Sequence, residues 1–119
     1  MAKDDYNLIV CKILLYLYQC LKNGEAPTKN GLLLGCRLGE LADGYRDFIL
    51  RSMTEEGLIS GLLFVKTWGA DTVCASDIED ARITAAGIRY LSENSTMQTV
   101  IEKLRDTLDF AGLVRSLFP

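Results

Sequence analysis

From Tyr6 to Leu21 the chain is almost without polar residues: thirteen of the sixteen positions are apolar, and only Asn7, Lys12 and Gln19 interrupt them. At helical spacing, Tyr6, Ile9, Val10, Ile13, Leu14, Tyr16, Leu17, Cys20 and Leu21 form one wide stripe, with Leu8, Cys11, Leu15 and Tyr18 as a second beside it. The polar sector shrinks to a sliver around Asp5, Lys12 and Gln19. A helix that is apolar nearly all round has to be covered nearly all round. A bilayer is not the cover, because Lys12 breaks the run and it is shorter than the ~20 residues of a membrane span. Asp4 and Asp5 do not suit a signal peptide. The expectation is a buried helix over about 4–22, closed by Asn23-Gly24, in a cytoplasmic protein with no membrane partner. Its cover is either the far end of the same chain or a second copy.

The 119 residues make one domain, whose folded surface scales to roughly 6,400 Å². Residues 25–39 read as irregular, with a short helix from Pro27-Thr28 to Leu34 stopped by Gly35. A clear helix follows from about Leu41 to Glu56, its inner face carrying Leu41, Ala42, Tyr45, Phe48, Ile49 and Met53. Leu58 to Thr67 is β-type, Trp68-Gly69-Ala70-Asp71 a turn, and Thr72-Val73-Cys74-Ala75 a returning strand. Asp77–Asp80 reads as a loop and 81–83 as a last short strand. Thr84 caps a helix to about Asn94. Ser95 and Gln98 form a capping box for a final helix whose stripe runs Met97, Val100, Ile101, Leu104, Leu108 and Ala111. Helix, short helix, helix, β-hairpin, helix is the order of an α+β winged helix-turn-helix domain, here residues 1–94. An additional C-terminal helix and apolar tail, 95–119, pack on helix one.

The words Glu55-Glu56-Gly57-Leu58-Ile59-Ser60-Gly61, then a hairpin, then Ile83-Thr84-Ala85-Ala86-Gly87-Ile88-Arg89-Tyr90-Leu91-Ser92-Glu93-Asn94-Ser95 resemble the YjcQ-like family. These are small winged-helix proteins of Gram-positive bacteria and their prophages. The resemblance spans roughly 4–110 and departs at 23–39 and in the apolar tail. It implies the winged-helix fold and, by analogy only, DNA binding; it carries no activity with it.

In such a fold the 41–56 helix would enter the major groove and the hairpin would be the wing. The helix bears Arg46 and Arg51 against Glu40, Asp43, Asp47, Glu55 and Glu56, a local charge of −3. Asp43 and Asp47 stand on the outer crest, where duplex phosphates would repel them. The cations that remain as a DNA-binding set are Lys29, Arg37, Arg46, Arg51 and Lys66, with Trp68 at the wing tip. Three roles are open to Trp68: stacking on a base or sugar, packing on its own domain, or burial in a partner, of which the last two suit a sole tryptophan best. The acidic crest makes another protein the second candidate partner. Surplus apolar surface on helix one and in the tail predicts a homodimer through Leu8, Cys11, Leu15, Tyr18, Leu113, Leu117 and Phe118.

Catalysis has little to work with. There is no histidine, so no Ser-His-Asp or Cys-His arrangement exists. Cys11, Cys20, Cys36 and Cys74 include no CxxC pair, and the first two sit in the apolar run as small hydrophobes. Gly31, Gly35 and Gly39 lack phosphate-loop spacing. Asp77, Glu79 and Asp80 lack the EF-hand pattern. No cofactor, no metal and no catalytic residue is expected.

Overall fold

The computed structural model describes residues 5–66, 68–69, 72–108 and 110–118. Helix α1 (Asp5–Asn23) runs through the centre. It touches the 31–35 segment, α2 (Asp43–Glu55), β4 (Arg82–Ile83), α3 (Ala85–Glu93), α4 (Ser95–Leu104) and α5 (Ala111–Leu117). That ring of neighbours is what an all-round apolar helix demands. Cys11, Ile13, Leu14 and Leu15 have no exposed surface at all.

The residues expected to face a second copy pack into this chain's own core instead. Cys11, Leu15 and Leu117 are buried inside one chain, and Leu8, Tyr18, Leu113 and Phe118 pack half-buried against the same core. Tyr18 and Phe118 meet ring to ring at 6.5 Å. Lys12 lies 5.3 Å over the Phe110 ring, so its charge stays at the rim while its stem covers apolar surface. Arg105 donates to the Phe118 carbonyl at 3.1 Å and ties the tail down. The accessible surface, 6819 Å², is close to the ~6,400 Å² of one compact chain. Of the seven, Leu8, Tyr18, Leu113 and Phe118 keep part of their surface exposed.

The far end of the chain departs from one continuous helix. α4 stops at Leu104, the Thr107 hydroxyl bonds the Leu104 carbonyl, and α5 starts afresh at Ala111. The break turns α5 back across α1 and leaves Leu108, predicted in the inner stripe, wholly exposed. The cap of α4 is Asn94 rather than Ser95: its carboxamide oxygen accepts from Met97 N at 3.0 Å. Gln98 turns away from the cap and donates to the Leu91 and Ser92 carbonyls, stapling α4 to the end of α3. Thr84 does cap α3, accepting from Gly87 N at 3.0 Å.

Between α2 and α3 the chain makes a two-part antiparallel hairpin. β1 (Ile59–Ser60) pairs with β4, and β2 (Phe64–Lys66) with β3 (Thr72–Cys74), in the register Ile59↔Ile83 and Val65↔Val73. Three residues (61–63) join the two ladders on the outward path and seven (75–81) on the return. The longer return path leaves the sheet as a single helical turn, Ile78–Asp80. Gly61 makes room for it: with φ +94° its α-carbon lies against the Asp80 carbonyl, and a β-carbon would collide there. Gly87 similarly lets the first turn of α3 press on the Leu58 carbonyl. Helices and hairpin together make the winged helix with an added C-terminal helical layer, and α4 and α5 contribute to the same core as the rest.

Candidate functional site

Helix α2 buries Ile49, Leu50 and Met53. Its inner face is rotated from the expected one, so that Phe48 is 48% exposed and leans on Tyr6, ring centroids 6.2 Å apart. Helix α2 also lies against β3. Two adjoining clefts separate them. One, of about 380 Å³, is lined by Lys29, Asp43, Arg46, Asp47, Val73 and the return path at Ser76–Glu79, with Leu33 behind. The other, of about 480 Å³, lies between Asp43, Asp47, Phe48 and Arg51 on α2 and Thr72 and Val73 on β3. Sharing Asp43, Asp47 and Val73, they form one trough.

Each element places its part for a local reason. Thr28 accepts from Gly31 N at 2.9 Å, starting the short helical turn that carries Lys29, and Thr28 N donates to the Tyr16 hydroxyl at 2.9 Å, fixing that turn on α1. The seven-residue return path supplies the third wall. This wall is the part sequence reasoning missed. In the sequence Asp77 and Glu79 read as a loop, and only the unequal spacing between the two ladders shows that it folds back beside α2.

Of the six residues predicted to meet DNA, the trough gathers three, Lys29, Arg46 and Arg51. Arg46 is clamped to Asp43 at 2.9 Å, with its side chain 22% exposed and that of Asp43 88%. Arg51 bonds Glu55 at 3.4 Å and lies 5.9 Å over the Phe48 ring. Arg37 stands apart, in left-handed backbone at φ 62°, and pairs with Glu40 at 3.1 Å. Lys66 and Trp68 lie on the hairpin outside the trough. Trp68 is wholly exposed, which removes the reading in which it packs on its own domain. Leu63 and Val65 are also exposed, at 68% and 48%.

Among the described residues, no group of three or more Cys, Asp or Glu side chains is arranged to hold a metal ion. Burial pushes the Cys11 and Cys36 thiols up to about 12, so both stay protonated near neutral pH. The Cys36 thiol donates weakly to the Lys12 carbonyl, a packing role. No helix among the described residues is long and apolar enough to cross a membrane.

The fold and this trough define a winged-helix protein whose helix α2 is acidic and whose wing exposes apolar side chains. The chain belongs to the YjcQ protein family, whose model matches residues 11–110. No match to a curated protein or to a solved structure accompanies that one.

Proposed function

We propose that this chain is a non-catalytic regulatory adaptor that docks another protein through the α2–wing face. One observation carries the reading. Both arginines on the helix that would read a duplex are already held by carboxylates of the same helix, Arg46 by Asp43 and Arg51 by Glu55. Asp43 is the most outward of these groups, so an approaching phosphate meets a carboxylate first. Affinity for nucleic acid comes largely from cations neutralising phosphates, and here they are neutralised in advance. The exposed Leu63, Val65 and Trp68 on the wing suit a protein surface better than a sugar–phosphate backbone. The buried, protonated cysteines and the absence of histidine support a role without chemistry.

A second reading, a DNA-associated regulator, is favoured by one specific feature. Among the described residues Lys29 and Lys66 make no ion pair, and Trp68 projects fully at the wing tip beside Lys66. A gel shift with random duplex at low salt separates the two. The adaptor predicts no complex at tens of micromolar protein. A salt-sensitive complex lost in Lys29→Glu/Lys66→Glu would overturn the adaptor reading in favour of DNA.

A further inference from the structure

We propose that the α2–β3 trough receives a basic, extended segment of a partner protein, seated by an apolar side chain; this rests on the adaptor reading above. The occupant follows from what the trough leaves unsatisfied. Arg46 is bound to Asp43 and Arg51 to Glu55. Lys29 then remains as the one cation without an ion pair among the described residues that line the trough, against the carboxylates of Asp47, Asp77 and Glu79, which likewise have none. The trough therefore offers acceptors and asks for donors. Glu79 makes this concrete: its Oε1 is shut off from solvent and has no hydrogen-bond partner. A buried acceptor in that condition forfeits its solvation, and a turn of the carboxylate towards the trough would let an arriving guanidinium or ammonium restore it.

The floor supplies the second requirement. Val73 lines both clefts, Phe48 forms one end with about half its surface exposed, and Leu33 and Ile78 close the other. Val65 stands opposite Val73 across the ladder, on the same sheet face, so the apolar strip continues onto the wing. Two adjoining clefts of about 380 and 480 Å³ hold several residues of an extended chain rather than one side chain. Apolar anchors on the strip with Lys or Arg beside them match this surface. Neither a polyanion nor an acidic peptide does.

The test uses the full chain and three short synthetic peptides: one alternating Lys/Arg with Leu, the same peptide with Ser for Leu, and one alternating Glu with Leu. Amide chemical shifts are followed on titration at about 50 and about 300 mM salt. The first peptide should bind, with shifts concentrated at 43–51 and 72–79, and should weaken at the higher salt. Asp47→Lys/Asp77→Lys should cost about tenfold in affinity, and the volume-matched Val73→Thr should weaken the Leu peptide alone. Both variants change half-exposed or exposed positions, and their melting curves verify folding. Equal binding of the Ser peptide, equal binding to the charge-reversed variant, or shifts scattered over the whole surface would overturn the proposal, because each means bulk attraction to an acidic protein. Should every peptide fail while random duplex at low salt also forms no complex, the trough is refuted and the adaptor reading stands. A salt-sensitive duplex complex would remove the reading itself.

Discussion

Leu15→Ala tests whether a single chain shields its own central helix. Leu15 has no exposed surface within one copy, on a helix that packs against α3, α4 and α5. Removing most of a fully buried leucine side chain costs about 3 kcal/mol, the transfer loss plus the cavity left behind. Unfolding entropy near 2.1 cal/mol/K per residue gives about 0.25 kcal/mol/K over 119 residues. The melting temperature should therefore fall by about 12 °C. Circular dichroism melts of wild type and variant at two protein concentrations a hundredfold apart are the assay. The wild-type midpoint should not move on dilution, because nothing but the chain itself covers Leu15. If dimerisation supplied the cover, dilution would lower the midpoint by several degrees through mass action. A drop under about 3 °C for Leu15→Ala, or a concentration-dependent wild-type midpoint, would refute the reasoning.

Four other outcomes are expected. Thr84→Ala removes both the α3 cap and a bond to the Gly57 carbonyl and should cost about 1–2 kcal/mol in urea unfolding, while Thr84→Ser recovers most of it. Gly61→Ala puts a methyl group into the Asp80 carbonyl at positive φ and should lower the urea midpoint by more than the ~1 kcal/mol an ordinary glycine replacement costs. With a thiol reagent at mildly alkaline pH, half-exposed Cys74 should react first, and Cys11 and Cys36 only once denaturant is added. In the folded state these two thiols are raised from 9.0 to about 12, so their contribution to stability is intact below pH 9 and is lost as pH climbs from there towards 12. Burial shifts Tyr6 and Tyr90 the same way, so the urea midpoint should decline through that window, and less steeply in Cys11→Ala/Cys36→Ala.

What the sequence made legible was governed by local rules. The all-round stripe on α1 demanded a cover, and α5 provides it. Thr84 announced the start of α3, and Gly57 ended the helix before the hairpin. The reasoning went astray where two local solutions compete or where tertiary packing decides. Asn94 and Ser95 are both good caps, and one residue's difference freed Gln98 to bond the end of α3 instead. Leu108 fitted the stripe of a long helix, but a straight continuation would have carried the tail past α1, and the break that returns it sacrifices that leucine to solvent. Phe48 fitted the inner face too, but the helix buries Leu50 and leaves Phe48 half exposed. The trough was least legible of all. It depends on seven residues returning where three went out, a mismatch that pairing reveals and composition does not.

The order of synthesis gives α5 a further importance. Helix α1 leaves the ribosome some ninety residues ahead of the segment that seals it, which at ordinary elongation rates of 5–20 residues per second is roughly 5 to 20 s. For that interval the greasiest stretch of the polypeptide is incompletely roofed, and α3 and α4 can shelter it only after most of the delay has passed. Nascent chains halted before residue 110 should bind trigger-factor-type holdases more strongly than those allowed to proceed, and strains short of such holdases should accumulate this protein in inclusion bodies.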